Sequence, residues 1–392
     1  MKLLVIGAGM MGSAAAYDMA RQPQVSEVTL ADSDARRVAE AVERINNLTD
    51  NKKVEGASVD AADLEKVAQL MKGHDGVLSA VPYFFNLGLA KTAIESKCHF
   101  ADLGGNNVVV RQTLELAQEA KKNGVGLAPD CGLSPGMASI LGGELLRRVG
   151  GRADSLKVYV GGLPQNPKAP FNYQLVFSVE GLINEYCEPA RILRDGELTM
   201  IDPLSEIEEF NIEGWPALEA FHTSGGTSTM PETFGKNVGE CFEKTIRYKG
   251  HCAMIRSLYD FGFFSSEKRK IGQHEITPRQ MTTSLFLEKF VDDASEATIL
   301  RVEAHQNGEV ASFTLIDKTD PETKLTSMMR TTAWPASIVL QMMASGEITK
   351  RGDVLQERDV PAEKFLDEMA QRGLPIAYEV AVAQPEECEV GA

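Results

Sequence analysis

Two groups of residues in this chain have types and spacings suited to chemistry. The first is Gly7-Ala8-Gly9-Met10-Met11-Gly12, with Asp32 twenty residues beyond its last glycine. In a strand–turn–helix setting, Gly7 makes the tight turn and Gly9 lets the backbone approach a pyrophosphate. Gly12 lets the helix pack closely on the strand. Met10 and Met11 then open the helix, so their amides face the phosphates with the positive end of its dipole. Asp32 can accept hydrogen bonds from both ribose hydroxyls, and its charge repels a 2′-phosphate. The expected cofactor is therefore NAD rather than NADP. Arg36 and Arg37 lie close by and fit an exposed helix face as well.

The second group is the stretch Phe221-His222-Thr223-Ser224-Gly225-Gly226-Thr227-Ser228-Thr229. A run of hydroxyls, glycines and one histidine suits neither a core nor a linker. It is expected to be a loop that binds a small polar ligand, with Thr223, Ser224 and Gly225 as contacts. His222 is its expected proton-transfer group. Asp102, before Leu103-Gly104-Gly105, can contact a nicotinamide ribose, position a substrate amine, or cap the following helix. Tyr173, Glu180, Arg247 and Arg330 are polar residues flanked by apolar ones; an arginine can clamp a carboxylate bidentately. Tyr173 is the further candidate for the chemistry, and Glu180, Arg247 and Arg330 for substrate binding. Each also fits a structural ion pair or hydrogen bond. Cys131 reads as a small packed residue rather than a nucleophile.

These residues need elements to position them. Apolar runs at Leu3–Ile6, Val28–Ala31, Val54–Asp60, Val77–Val81, His99–Leu103 and Val125–Ala128 alternate with stretches of helical periodicity. The alternation predicts an α/β fold with a doubly wound, Rossmann-type parallel sheet. Ligands bind such sheets at the carboxyl ends of the strands. Asp60, Ala80, Val81, Pro82, Asp102, Leu103, Gly104 and Asp130 therefore join the glycine loop as expected cofactor contacts. From about Leu156 the pattern turns to alternating segments, including 174–178, 245–248, 298–304 and 311–316. They predict a second α+β domain on a mixed or antiparallel sheet, with helices near 179–187, 252–261 and 278–292. The expected division is a dinucleotide-binding domain at 1–134 and a substrate-binding and oligomerisation domain at 135–332, giving a homodimer or a higher homo-oligomer. Residues 333–392 turn helical again and can return to the first domain.

The chain of 392 residues carries a net charge of −16, which argues against a nucleic-acid or anionic-membrane partner. A small-molecule substrate is expected. The six cysteines show no CxxC pair and the six histidines no metal-ligand spacing, so no metal site is expected. No apolar run reaches a membrane span, and a strand begins at once with no room for a signal peptide. Cytoplasm is the expected location.

With these segments in view, the chain resembles the saccharopine dehydrogenase-like family, and within it the L-lysine 6-dehydrogenases. The resemblance rests on the glycine loop, Lys91-Thr92-Ala93-Ile94-Glu95, Asp102-Leu103-Gly104-Gly105 and Leu133-Ser134-Pro135-Gly136-Met137. Further on it rests on Tyr159-Val160-Gly161-Gly162, Val176 to Leu182, Leu218 to Thr229 and Lys244 to His251. Near the end it adds Arg330-Thr331-Thr332-Ala333 and Ile348 to Gly352. Asn106-Asn107 departs from the histidine expected after the double glycine in the lysine enzymes. Ser134 departs from the aspartate typical of saccharopine-forming members. The resemblance implies NAD-dependent oxidative deamination of the ε-amine of L-lysine, giving ammonia and a 6-semialdehyde that can cyclise. The reacting amine must be neutral, because an ammonium has no lone pair to assist hydride departure. Two other readings stand beside this one. One is a saccharopine or carboxynorspermidine-type dehydrogenase, which needs room for a larger product and more than one arginine. The other is a nicotinamide-binding sensor without catalysis.

Overall fold

The apolar runs of the N-terminal part form parallel strands β1 (Lys2–Ile6), β2 (Glu27–Asp32), β3 (Val54–Ser58), β4 (Gly76–Ser79), β5 (His99–Asp102) and β6 (Gly126–Ala128). They are seen in a computed structural model, which describes residues 1–290 and 295–382. The order β6-β5-β4-β1-β2-β3 reverses direction beside β1, where a doubly wound sheet binds its ligand. Successive β1 residues serve opposite faces. Leu3 and Val5 pack with the helices Met10–Arg21 and Ser327–Ser345, whereas Leu4 and Ile6 pack with the helices Leu64–Met71 and Asn86–Glu95. A parallel sheet covered on both faces needs such unbroken apolar strands.

The second sheet is built from β7 (Ala153–Pro164), β8 (Ala190–Arg194), β9 (Glu197–Ile201), β10 (Glu208–Phe210), β11 (Leu218–His222) and β12 (Val238–Tyr248). A separate hairpin, β13 (Arg269–Ile271) and β14 (His274–Ile276), precedes β15 (Glu296–Gln306) and β16 (Glu309–Lys318). Strands β12 and β7 pair in parallel and the other pairs of this sheet are antiparallel, so it is mixed. Helices Val179–Cys187, His251–Asp260 and Pro278–Lys289 share an aromatic core with Phe221, Phe286 and Phe290. The expected helix near 278–292 ends at Lys289, and residues 291–292 lie outside the described residues. The expected strand at 174–178 is irregular instead. It leads into Ser178, whose hydroxyl accepts from the Gly181 amide at 3.1 Å and caps the next helix. The β8–β9 hairpin turns at Asp195-Gly196, both with positive φ, as its tight turn requires.

The C-terminal segment touches both sheets. Helix Ser327–Ser345 packs along helix Met10–Arg21, β17 (Gly352–Asp353) extends the parallel sheet beyond β6, and β18 (Ala377–Val382) pairs with β16. A buried ion pair fastens this return. Arg372 Nε donates to Asp18 at 2.7 Å, both side chains being almost fully enclosed. Ser337 Oγ donates to the other Asp18 oxygen at 2.7 Å, and Glu368 takes a further donor of Arg372. Removing one partner strands a buried charge. Asp18→Ala is expected to cost about 3–5 kcal/mol of unfolding free energy. Replacing Asp18 by Ala and Arg372 by Met together is expected to recover most of that loss. Denaturant titration checks both values.

Candidate active site

The nucleotide side of the site is shaped by backbone that tolerates no side chain. Gly7 adopts φ +108°, and a Cβ there would lie 2.5 Å from the Ala80 carbonyl oxygen. A Cβ on Gly12 would collide with the Gly7 carbonyl, so the helix Met10–Arg21 can start only with glycine at that point. A Cβ on Gly9 would meet nothing within 4 Å. That open space over the helix N-terminus suits a phosphate held by backbone amides. Asp32 accepts from the Ala8 amide at 2.8 Å and from the Asp34 amide at 3.0 Å, with Arg37 at 3.7 Å. Its carboxylate thus fixes the glycine loop and retains lone pairs for a ribose. Asp60 accepts from the Ala62 amide at 2.9 Å in the turn after β3. Ala80 donates to the Ile6 carbonyl at 2.7 Å, and Val81 and Pro82 follow it at the strand end. Met10 is half exposed, while Met11 and Leu103 reach the cleft described next. These residues fit a nicotinamide dinucleotide.

A cleft of about 340 Å³ opens between these strand ends and the mixed sheet. Periodicity explains which side chains face it. Along β12, Glu243, Thr245 and Arg247 alternate into the cleft. On the helix Val179–Cys187 and its ends, Ser178, Gly181, Asn184, Glu185 and Glu188 form one face at helical spacing. The 223–226 turn bridges that helix and the parallel sheet, so Thr223, Ser224 and Gly225 line the cleft. Thr223 Oγ1 donates to Glu243 Oε2 at 3.3 Å, Thr245 Oγ1 donates to Glu243 Oε1 at 3.3 Å, and the two hydroxyls lie 2.7 Å apart. A Cβ on Gly226 would strike the Glu243 side chain.

The cleft holds more acids than bases. Among the described residues, Asp130, Glu185, Glu188 and Glu243 line it, against the single guanidinium of Arg247. Burial pushes the Glu243 carboxyl up to about 8, helped by the charge of Glu185. Burial likewise raises Glu185 to about 7 against the pull of Arg247. Asp130 rises to about 7 through burial and the neighbouring Asp102. Arg247 sits beneath, its guanidinium 4.9 Å from the Tyr173 ring and its Nε 3.4 Å from the Tyr186 hydroxyl. Burial and that guanidinium hold His251 down at about 3, so it stays neutral beside Tyr186.

Several expected site residues stand elsewhere. His222 is the last residue of β11 rather than part of a loop, and it pairs with Lys244 across the sheet. Paired residues share a face, and Lys244 alternates with the cleft-facing Glu243 and Thr245. The imidazole therefore points away from the cleft, fully buried, with Nε2 3.1 Å from Glu206 and Nδ1 3.2 Å from the Glu243 carbonyl. Glu180 lies about 140° around its helix from Glu185. It is exposed and pairs with Arg279 at 2.7 Å. Arg330 is turned off the face where Met328 and Thr332 line the cleft; it faces Asp317 at 3.4 Å and the Trp334 ring. Tyr173 supports Arg247 from behind and does not line the cleft. Asp102 is buried below the floor and accepts from the Gly104 amide at 2.7 Å and the Asp130 amide at 3.0 Å. Those bonds oppose the burial that raises it to about 6. Cys131 is buried as a packed residue, with Gln356 Nε2 3.0 Å from its sulfur, and Cys388 lies outside the described residues. Sequence reasoning missed Glu185 and Glu243. The alternation Glu243-x-Thr245-x-Arg247 along one face of β12 was the signal for Glu243. Among the described residues no group of side chains could hold a metal ion, and no helix is long and apolar enough to cross a membrane.

Comparison with known proteins agrees with this fold. Residues 3–127 match the Saccharopine dehydrogenase NADP binding domain, and residues 132–374 match the Saccharopine dehydrogenase C-terminal domain. The chain is 26% identical over 272 residues to the alpha-aminoadipic semialdehyde synthase of Arabidopsis thaliana, covering 66% of this chain and 25% of that one. It is 24% identical to a saccharopine dehydrogenase (NADP(+), L-glutamate-forming) of Pyricularia oryzae, covering 76% of this chain and 63% of that one. The chain thus spans less than two thirds of the length of these relatives. The apo saccharopine dehydrogenase (L-Glu forming) of Saccharomyces cerevisiae shares the fold, with TM-score 0.77, 18% identity and coverage of 97% of this chain and 100% of that one. The parallel sheet and the mixed second sheet are the fold of that enzyme, and family models match both halves of the sequence: the chain belongs to the saccharopine dehydrogenase family.

Proposed function

We propose that the protein oxidatively deaminates the ε-amine of L-lysine with NAD, releasing ammonia and the 6-semialdehyde. The observation that carries this reading is the charge inventory of the cleft: Asp130, Glu185, Glu188 and Glu243 against Arg247. Free lysine brings one carboxylate for that guanidinium and two ammonium groups for the acids. Saccharopine joins lysine to a glutamate skeleton and brings the carboxylates of both. Two of them would enter a cleft already rich in acids without a cation of their own, which is costly away from water. Val160, Phe177 and Met328 supply apolar lining for the lysine methylenes.

Arg247 is held by Tyr186 and by the Ile246 carbonyl at 2.9 Å, a rigid mount for a bidentate carboxylate clamp. The acids bind the amines, and the threonine hydroxyls orient Glu243. A nicotinamide held over the glycine loop and the strand ends would accept hydride from Cε, and water would hydrolyse the resulting imine. The relatives named above as NADP(+) enzymes make NAD preference a separate question. Asp32 supports NAD, since a carboxylate at the end of β2 repels a 2′-phosphate; Arg36 and Arg37 work the other way.

Both parts are tested with one substrate panel. With NAD at pH 9, lysine is expected to yield ammonia and NADH in equal amounts, with kcat/KM at least tenfold above that for cadaverine, which lacks the carboxylate. Saccharopine is expected to turn over more slowly than lysine. NAD is expected to outperform NADP, and Asp32→Ala to narrow that ratio by removing one charge-assisted contact, about 1.5–3 kcal/mol at most. Saccharopine oxidised faster than lysine, with glutamate and no ammonia released, would reverse the substrate assignment.

A further inference from the structure

The cleft has a direction. Glu243 lies at its nucleotide end, where the 223–229 turn meets the parallel sheet: Ser134 Oγ donates to the Gly226 carbonyl at 3.3 Å, and Ser228 Oγ donates to Asp130 at 2.5 Å. Arg247 lies at the distal end, against Tyr173, Tyr186 and His251. Both belong to β12 and both face the cleft, four residues apart. At about 3.3 Å of rise per residue their α-carbons are roughly 13 Å apart. With Thr245 between them on the same face, the two anchors suit a ligand that carries a carboxylate at one end and an amine at the other.

Resting on the lysine reading above, we propose that Glu243 binds the reacting ε-amine and takes its proton, with β12 acting as a ruler that sets it one lysine length from Arg247. The step is a simple proton transfer. An N–H bond of the ammonium breaks, an O–H bond forms on the Glu243 carboxylate, and the freed nitrogen lone pair assists departure of hydride from Cε. The environment suits this task on every side. Thr223 and Thr245 fix the two carboxyl oxygens, and the missing Cβ of Gly226 leaves room for the side chain. Glu185 and Glu188 face Glu243 from the helix Val179–Cys187 and its end, Asp130 from the parallel sheet and Arg247 from its own strand. Lys244 and His222 lie on the opposite face of the mixed sheet. A lysine amine near ~10.4 is poorly matched to an ordinary glutamate near ~4.3. Burial and Glu185 bring Glu243 to about 8, much closer to the amine.

The sign of the accompanying proton flux follows. At pH 7 a carboxyl held at about 8 is mostly protonated, and a cation placed against it drives the proton off. Lysine binding should therefore release protons at pH 7, and the release should fade as pH rises through 8 to 9. The test is calorimetric titration of lysine into the NADH-saturated enzyme at pH 7, in buffers of different ionisation enthalpy. Wild-type enzyme is expected to release close to one proton or more, and E243Q to release about one fewer. E243Q is also expected to lose at least 100-fold in kcat/KM for lysine at pH 9, with the KM for NAD unchanged. Ornithine, one methylene shorter, is expected to fall at least tenfold below lysine in the wild type. A wild-type count of zero overturns the proposal, and that measurement needs no variant. So does E243Q with the full proton count, or with activity within threefold of wild type. Lysine that neither binds nor turns over defeats instead the substrate reading on which the proposal rests.

Discussion

A carboxyl taken out of water must find a cation or keep its proton. The cleft of this protein is organised by that constraint. Asp130, Glu185 and Glu243 all face it, and among the described residues Arg247 is the only cation on its wall. On the lysine reading proposed above, that imbalance favours a ligand that carries more positive charge than negative. It also explains local features that would otherwise be costly. Thr223 and Thr245 spend their hydroxyls on Glu243, and Gly226 gives up a side chain to make room for it. His251 remains neutral because burial, and then the guanidinium next to it, disfavours its charged form.

Such a site works only if its two walls keep their spacing, and the chain spends its C-terminal return on that. Helix Ser327–Ser345 lies on the parallel sheet and presents Met328 and Thr332 to the cleft. Gln356 Nε2 donates to the Pro129 carbonyl at 2.5 Å, beside Asp130. Glu357 accepts from Thr229 at 2.9 Å and Thr233 at 2.5 Å, tying the end of the 223–229 turn to the same segment. The buried Asp18–Arg372 pair fastens the segment to the first helix. Polar bonds that tie both walls to one C-terminal segment hold a binding geometry more tightly than loops alone.

The nucleotide half was legible because its constraints are local. A positive φ at Gly7, a collision at Gly12 and an acid at the end of β2 each follow from a few neighbouring residues, and each leaves a mark in the sequence. The substrate half depends on which face of a strand or helix a residue takes. Thr223, Ser224, Gly225 and Arg247 were found by composition and apolar flanks, and the structure brings them together. His222 was misassigned because β11 runs one residue further than the glycine- and hydroxyl-rich stretch suggests, and one step along a strand reverses the face. Glu180 and Glu185 differ in the same way on a helix, one meeting Arg279 at the surface and the other the cleft. Arg330 and Asp102 are held by partners distant in sequence, Asp317 and Asp130, that local pattern cannot reveal.

The most direct measurement is a crystal structure of the enzyme with NADH and L-lysine. This account places the α-carboxylate on the Arg247 guanidinium and Nε within about 3 Å of Glu243, with Cε toward the nucleotide end of the cleft. Lysine bound with its carboxylate toward Glu243, or outside the cleft altogether, would contradict it.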